Sequence, residues 1–265
     1  MITFAKKSVA KNSYFNKHKE KIHGENIPVA GRNAPVIISD DARAAFEEGK
    51  VLLIDKPLHW TSFDVVRKIR NSLRIKKVGH AGTLDPLATG LLIVCTGKFT
   101  KKINEFMARE KEYTGSFTLG AVTPTYDLES TPEQVKDTNY LSKEIIINNT
   151  IKFTGDIMQV PPVYSAIKKN GTALYELARR GVEVELLPRP VTIHSFLIES
   201  IEMPVVHFRI TCSTGTYIRS IANDFGAALG CGGYLSELRR TRIGEFEVTN
   251  AMGVETFIED LKKNE

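Results

Sequence analysis

The chain has no apolar run approaching the ~18 residues that a membrane-spanning helix needs. Its first residues lack the apolar core of a secretory signal, so neither a membrane protein nor an exported one is expected. Cysteine is scarce. Cys95, Cys212 and Cys231 are far apart, odd in number and form no C-x-x-C pair, which reads as three reduced thiols in a cytoplasmic protein. The six histidines do not cluster with cysteines at ligand spacing, and no G-x-x-x-x-G-K-[ST] loop occurs. No metal and no nucleotide cofactor is therefore expected.

Acidic residues are missing mainly from one place. Residues 1–23 carry six lysines against the single acid Glu20, which accounts for the whole net charge of +5. The remaining chain holds 30 basic and 30 acidic residues, so the basic balance belongs to the tail. A basic arm attracts polyanions through counterion release. The same composition fits a solvated arm with no specific partner. An organelle-targeting segment fits less well, because no arginine precedes Arg32.

What remains has the apolar content of a globular domain. Residues 1–48 are polar and lysine-rich, with a short helix expected around Asp41 to Glu48, and read as a basic, flexible extension. The compact body is expected from Lys50, giving a single domain over 49–265. Val51-Leu52-Leu53-Ile54 reads as a buried strand ended by the turn Asp55-Lys56-Pro57. Ser62 can cap a helix to about Leu73, with Val65, Val66, Ile69 and Leu73 on one face. Leu91 to Cys95 reads as a second buried strand. Tyr113 to Leu119 alternates large and small residues, as an exposed strand does. Val206, Phe208, Ile210 and Cys212 alternate with polar neighbours, as a half-buried strand does. Helices are expected over Ile145 to Phe153, Thr172 to Arg180, Thr216 to Leu229 and Val254 to Lys263. The mixture lacks strict βαβ alternation and predicts an α+β fold on a mixed, mostly antiparallel sheet flanked by helices and loops.

One stretch concentrates chemistry: Gly79-His80-Ala81-Gly82-Thr83-Leu84-Asp85-Pro86-Leu87-Ala88-Thr89-Gly90. Three glycines in twelve residues permit unusual backbone shapes, and Pro86 biases Asp85 towards an extended conformation. A carboxylate thus sits on a stiff turn just before an apolar strand. Spacing alone leaves two readings open, because Asp-Pro also starts many turns in which the aspartate only bonds nearby amides.

This loop resembles the central motif of the TruB family of tRNA pseudouridine synthases, G-H-x-G-x-L-D-P-x-A-x-G, at every fixed position. Further segments resemble family motifs in the family's order. They are Leu53 to Pro57; Lys111-Glu112-Tyr113 with Leu119-Gly120 and Asp127; Val163-Tyr164-Ser165-Ala166-Ile167-Lys168; Gly215-Thr216-Tyr217-Ile218-Arg219; and Leu238-Arg239-Arg240. Together they span residues 50 to about 246.

The resemblance implies the pseudouridine synthase catalytic fold over 49–265. It also implies an isomerase acting on uridine 55 in the T-loop of tRNA. Asp85 matches the catalytic carboxylate and Arg219 its arginine partner, whose fixed charge would favour the ionised carboxylate. Tyr113 matches the active-site tyrosine, able to stack on uracil and relay a proton. Tyr217 and Leu238 match residues lining the uridine pocket. His80 matches a histidine near the flipped nucleotide, and Asp127 a contact to the RNA loop. Isomerisation oxidises nothing and imports no group, in keeping with the absence of a cofactor.

The Leu87-Ala88 spelling resembles the stand-alone bacterial form, so the implied partner is the T-arm of tRNA with no guide RNA, and the implied state is a monomer. Only about 20 residues follow Leu238-Arg239-Arg240, so the C-terminal PUA domain of many bacterial members is expected to be absent. An RNA-binding module in which catalysis is secondary is the competing class. The intact set Asp85, Tyr113 and Arg219 speaks against it, since a pure binder has no need of a buried ion pair.

Overall fold

A computed structural model describes residues 38–263, apart from 166, 170 and 183. The lysine-rich segment 1–23 lies outside the described residues. The elements run α1 (Asp40–Glu48), β1 (Val51–Lys56), α2 (Ser62–Leu73), β2 (Val78–His80), β3 (Ala88–Thr96), α3 (Ile103–Ala108), β4 (Lys111–Leu119), α4 (Lys143–Asn149) and β5 (Gly155–Gln159). The chain continues through the short hairpin β6 (Lys168–Lys169) and β7 (Thr172–Ala173), then α5 (Leu174–Arg179), β8 (Arg189–Glu202), β9 (Val205–Cys212) and α6 (Ile218–Ala228). It ends with β10 (Gly233–Ile243), β11 (Phe246–Glu247), β12 (Met252–Gly253) and α7 (Val254–Lys263). The α+β class expected from the sequence is what forms.

Ten strands make one sheet, with eight in the order β12-β1-β3-β10-β4-β9-β8-β5 and with β2 and β11 attached to β3 and β10. Only β12 beside β1 and β3 beside β10 run parallel. Strand β3 shows why its sequence is an unbroken apolar run. Leu92 and Val94 face the core formed with α1, α2 and α7, while Leu91, Ile93 and Cys95 face a second core with Phe106 and Ile243. A strand buried on both faces has no polar positions to alternate with. The largest core lies on the other half of the sheet, where Phe117 stacks on Phe208 at 4.2 Å and both pack with Phe225 of α6.

Several sequence expectations need correcting. Strand β4 is not exposed: it lies between β10 and β9, and Phe117 and Leu119 are fully buried. Its small residues answer a different demand. At Gly115 a Cβ would stand 2.1 Å from the Glu237 carbonyl oxygen, so the alternation of size records close strand packing. The cap of α2 is Thr61, which makes a reciprocal capping box with Asp64, freeing Ser62 for another task. Thr172 and Ala173 belong to a hairpin before α5 rather than to the helix. Helix α4 ends at Asn149 and continues only as one 3₁₀ turn to Phe153. The body also begins earlier than Lys50. Helix α1 buries Phe46 in the β3 core, and the Phe46 carbonyl accepts a hydrogen bond from the Thr96 hydroxyl at 2.8 Å.

Candidate active site

The stretch 79–90 leaves β2 at His80, turns through Asp85 and enters β3 at Ala88. Three elements pin the turn. The Ser62 hydroxyl, at the start of α2, accepts from Leu84 N at 2.8 Å and donates to Leu84 O at 3.1 Å. His59 N donates to Pro86 O at 2.8 Å. The Lys56 ammonium, fully buried, donates to Pro57 O at 2.9 Å and reaches Pro86 O at 3.5 Å. Ala88 N closes the turn on Asp85 O at 3.0 Å. The backbone around Asp85 is therefore held on both sides, leaving the side chain free to face outward.

Arg219 supplies the counter-charge. It sits in the first turn of α6, where Tyr217 is the cap residue. Its Nε lies 2.9 Å from Asp85 Oδ2, an ionic contact without an aligned N–H direction. Its Nη1 lies 3.5 Å from Asp127 Oδ2 and donates to Thr125 O, and its Nη2 donates to Tyr164 O. The side-chain exposures separate the two carboxylates: 37% for Asp85 and 5% for Asp127, around an arginine at 6%. Burial pushes the Asp127 carboxyl above the ordinary range, opposed by Arg219 and by the Thr125 hydroxyl at 2.6 Å. Asp85 is thus the carboxylate that can meet a substrate. Asp127, read from the sequence as a contact to RNA, is an internal partner of the arginine.

Tyr113 and His80 lie on a different side of the loop. Tyr113 sits opposite Arg240 across β4 and β10, and its phenol is hydrogen-bonded by that arginine. Burial raises the phenol, while Arg240 acts in the opposite direction. Burial, and then the same arginine, push the His80 imidazole below its ordinary value, opposed by a backbone hydrogen bond at Gly82. Arg240 is 1% exposed, donates from Nε to Leu91 O at 2.8 Å and from Nη2 to Gly82 O at 3.1 Å. The sequence reading placed Arg240 in a motif without giving it a task. Gly90 explains how β3 approaches it: the residue has φ +101°, and a Cβ would stand 2.3 Å from Arg240 O.

A shallow cleft opens over Asp85, lined also by Leu87, Asp127, Arg219, Glu237 and Leu238. Leu238 reaches it because β10 shifts register between Leu235 and Glu237, re-aiming the side chains that follow. Tyr217 stands at the side, near enough for Asp85 to raise its phenol further above the level set by burial. Gln159, unremarked in the sequence, clamps Tyr217 through both its backbone N and O, at 2.8 and 3.1 Å. The cleft is shallow and opens outward over the Asp85 carboxylate. Of the six residues read as site residues, Asp85, Arg219 and Leu238 line it. Tyr217 flanks it, and Tyr113 and His80 support it from the Arg240 side.

Residues 70–218 match the family model described as TruB family pseudouridylate synthase, N-terminal domain. Residues 219–264 match the model for the tRNA pseudouridylate synthase B C-terminal domain. The tRNA pseudouridine synthase B of Flavobacterium johnsoniae is 53% identical over 223 residues, covering 81% of this chain and 97% of that one. The protein of the same name from Chlorobium chlorochromatii is 48% identical over 228 residues, covering 84% and 89%. Among solved structures, a Cbf5-Nop10-Gar1 complex matches with TM-score 0.63 at 28% identity, over 89% of this chain and 60% of that one. An H/ACA RNP bound to a substrate RNA containing 2'-deoxyuridine matches with TM-score 0.61 at 26% identity, over 88% and 60%. An Asp-bearing loop pinned at the head of β3, an arginine on α6 facing it, and these matches across both halves lead to one assignment: the chain belongs to the TruB family of pseudouridylate synthases.

Proposed function

We propose that this protein converts uridine to pseudouridine in tRNA, at uridine 55 of the T-loop, with Asp85 as the essential carboxylate. The observation that carries the reading is the unequal sharing of Arg219. One carboxylate is buried against it, and the other stands half-open at the cleft. The reaction must break the N1–C1′ bond, turn the uracil and rejoin it through C5. An ionised Asp85 can attack the sugar or base, or remove a sugar proton to release uracil. Arg219, with Nε 2.9 Å from Asp85 Oδ2, supplies the counter-charge beside that carboxylate. Tyr113, fixed by Arg240, offers a ring against which a base can stack and a hydroxyl that can relay a proton. Tyr217 and Leu238 bound the space that the base would occupy, and His80 supports the loop from below.

The cleft over Asp85 is shallow and open to one side, so a base would be received at its mouth. The target base is stacked in folded RNA and must be extruded, at a cost of a few kcal/mol. A stand-alone enzyme acting as a monomer on the T-arm in the cytoplasm fits best. Identity is 53% to a bacterial enzyme of that name, against 26–28% to components of guide-RNA particles.

Tritium release from uridine-5-tritiated tRNA transcript tests the reading. Wild-type protein should release tritium from the normal transcript and not from one with cytidine at position 55. Asp85→Asn should bind tRNA yet release nothing measurable. Tight binding of tRNA by the wild type without tritium release would replace the enzyme with an RNA-binding module.

A further inference from the structure

Helix α2 joins the active-site loop to a surface of a different character. Its first residue, Ser62, is bonded to Leu84 beside Asp85, and its twelve residues carry the chain ~18 Å away from that point. From Asp64 to Asp85 the sequence holds six cations and no acid: Arg67, Lys68, Arg70, Arg74, Lys76 and Lys77. Arg67 is paired with Asp64 and Lys68 lies 3.5 Å from Glu255. Arg70, Arg74, Lys76 and Lys77 have no ion-pair partner among the described residues. Most other arginines of the body are paired or bonded, including Arg109, Arg209, Arg219, Arg239 and Arg242.

Three of these cations frame a shallow depression at the end of the helix, lined by Arg70, Asn71, Arg74, Ile75 and Lys76. Ile75 is buried and anchors the floor, while Arg74 and Lys76 stand exposed on either side of it. Arg74 occupies the C-cap with φ 53°, a place where helices favour glycine, so a long cation stands where none is needed to end the helix. The helix dipole favours a cation in the last turn, and Arg70 satisfies that; Lys76 and Lys77 lie beyond the dipole's reach. A row of unpaired cations with an amide among them suits phosphate oxygens, and the distance from Asp85 suits a polynucleotide rather than a single nucleotide.

We propose that the end of α2, with Arg70, Arg74 and Lys76, docks the sugar–phosphate backbone of the substrate tRNA at a distance from the target uridine. The proposal rests on the tRNA reading above. The near-neutral body therefore carries a localised basic surface, and α2 sets its spacing from the reacting base.

The test uses the full chain with Arg70→Gln, Arg74→Gln and Lys76→Gln combined, beside a second variant with Arg70→Lys and Arg74→Lys. Binding of unmodified tRNA is measured from low to physiological salt, and tritium release gives KM and kcat. The glutamine variant should bind more weakly, with the slope of log affinity against log salt reduced by about one per cation removed. KM should rise and kcat at saturating tRNA should stay within twofold. The lysine variant should keep the wild-type slope, because a phosphate accepts either cation. Lys76→Gln alone, at an exposed position, should lower the slope by about one. An unchanged slope and KM in the glutamine variant overturns the proposal. So does a fall in kcat at unchanged slope, or a lysine variant as weak as the glutamine one. Wild-type tritium release in the same assay separates these failures from failure of the enzymatic reading.

Discussion

Arg219 and Arg240 are both more than nine-tenths buried, and both reach the Asp85 loop, one from α6 and the other from β10. Their partners differ in kind. Arg219 meets two carboxylates, one of them open to the cleft. Arg240 gives its hydrogen bonds to the Leu91 and Gly82 carbonyls and to the Tyr113 phenol, with no carboxylate partner. A cation bonded by carbonyls keeps its full charge, and its field acts on its neighbours: it opposes protonation of Lys56 and His80. A cation shared between anions is instead neutralised locally, and its state is coupled to whatever the open anion does. On this contrast Arg219 is the arginine coupled to the open carboxylate, and Arg240 belongs to the frame that holds the loop and Tyr113.

Removing Arg219 should have the largest effect. Arg219→Met should lower tritium release about 10²–10³-fold and destabilise the fold by about 3–5 kcal/mol, because Asp127 is left charged and buried without its partner. Adding Asp127→Asn should restore most of the melting temperature and none of the activity. If activity returned with stability, Arg219 would belong to the frame and the contrast would collapse.

Arg240→Met should be milder. It orphans the Leu91 and Gly82 carbonyls, at a cost of about 1–3 kcal/mol in thermal or urea unfolding. Turnover by the folded fraction should stay within roughly tenfold of wild type, well above the Arg219 variant. Turnover as low as that of Arg219→Met would show that both arginines act on the reaction.

The smallest effect is a pH dependence on the frame side. Burial pushes the Lys56 and Lys111 ammonium groups down to about 8, from 10.5 when exposed. Between those values the unfolded chain holds more protons than the folded one, so stability rises with pH from about 8. Above pH 9 the Cys95 and Cys212 thiols, raised to about 11, act in the opposite sense. The clean window is therefore pH 8–9. There Lys56→Met should remove up to about 1 kcal/mol per pH unit from the slope of unfolding free energy. An unchanged slope would mean that Lys56 is not held in a dry site.

Much of this was legible before the structure. Asp85, Arg219 and Leu238 were marked by motif, and the strand pattern at Val206 to Cys212 and the helix from Val254 to Lys263 formed as read. What escaped depended on neighbours distant in sequence. Gln159 reads as an ordinary strand residue until Tyr217 folds against it. Strand β4 reads as exposed until β9 and β10 close over it. Asp127 carries the same side chain as Asp85, and only burial makes it internal.

The sequence by itself determined the local events: a turn stiffened by Pro86, the helix to Leu73, the doubly apolar β3, and the set of motifs that mark the family. These depend on residues a few positions apart, whose dihedral preferences and hydrogen bonds act within one turn or strand. Only the tertiary structure decided which of two carboxylates stands open at the cleft, which of two arginines carries the frame, and that the cations at the far end of α2, already neighbours in sequence, meet no acid. Those outcomes depend on burial and on charged side chains meeting partners 30 to 149 positions away, and no local pattern encodes the dielectric in which a charge will finally sit.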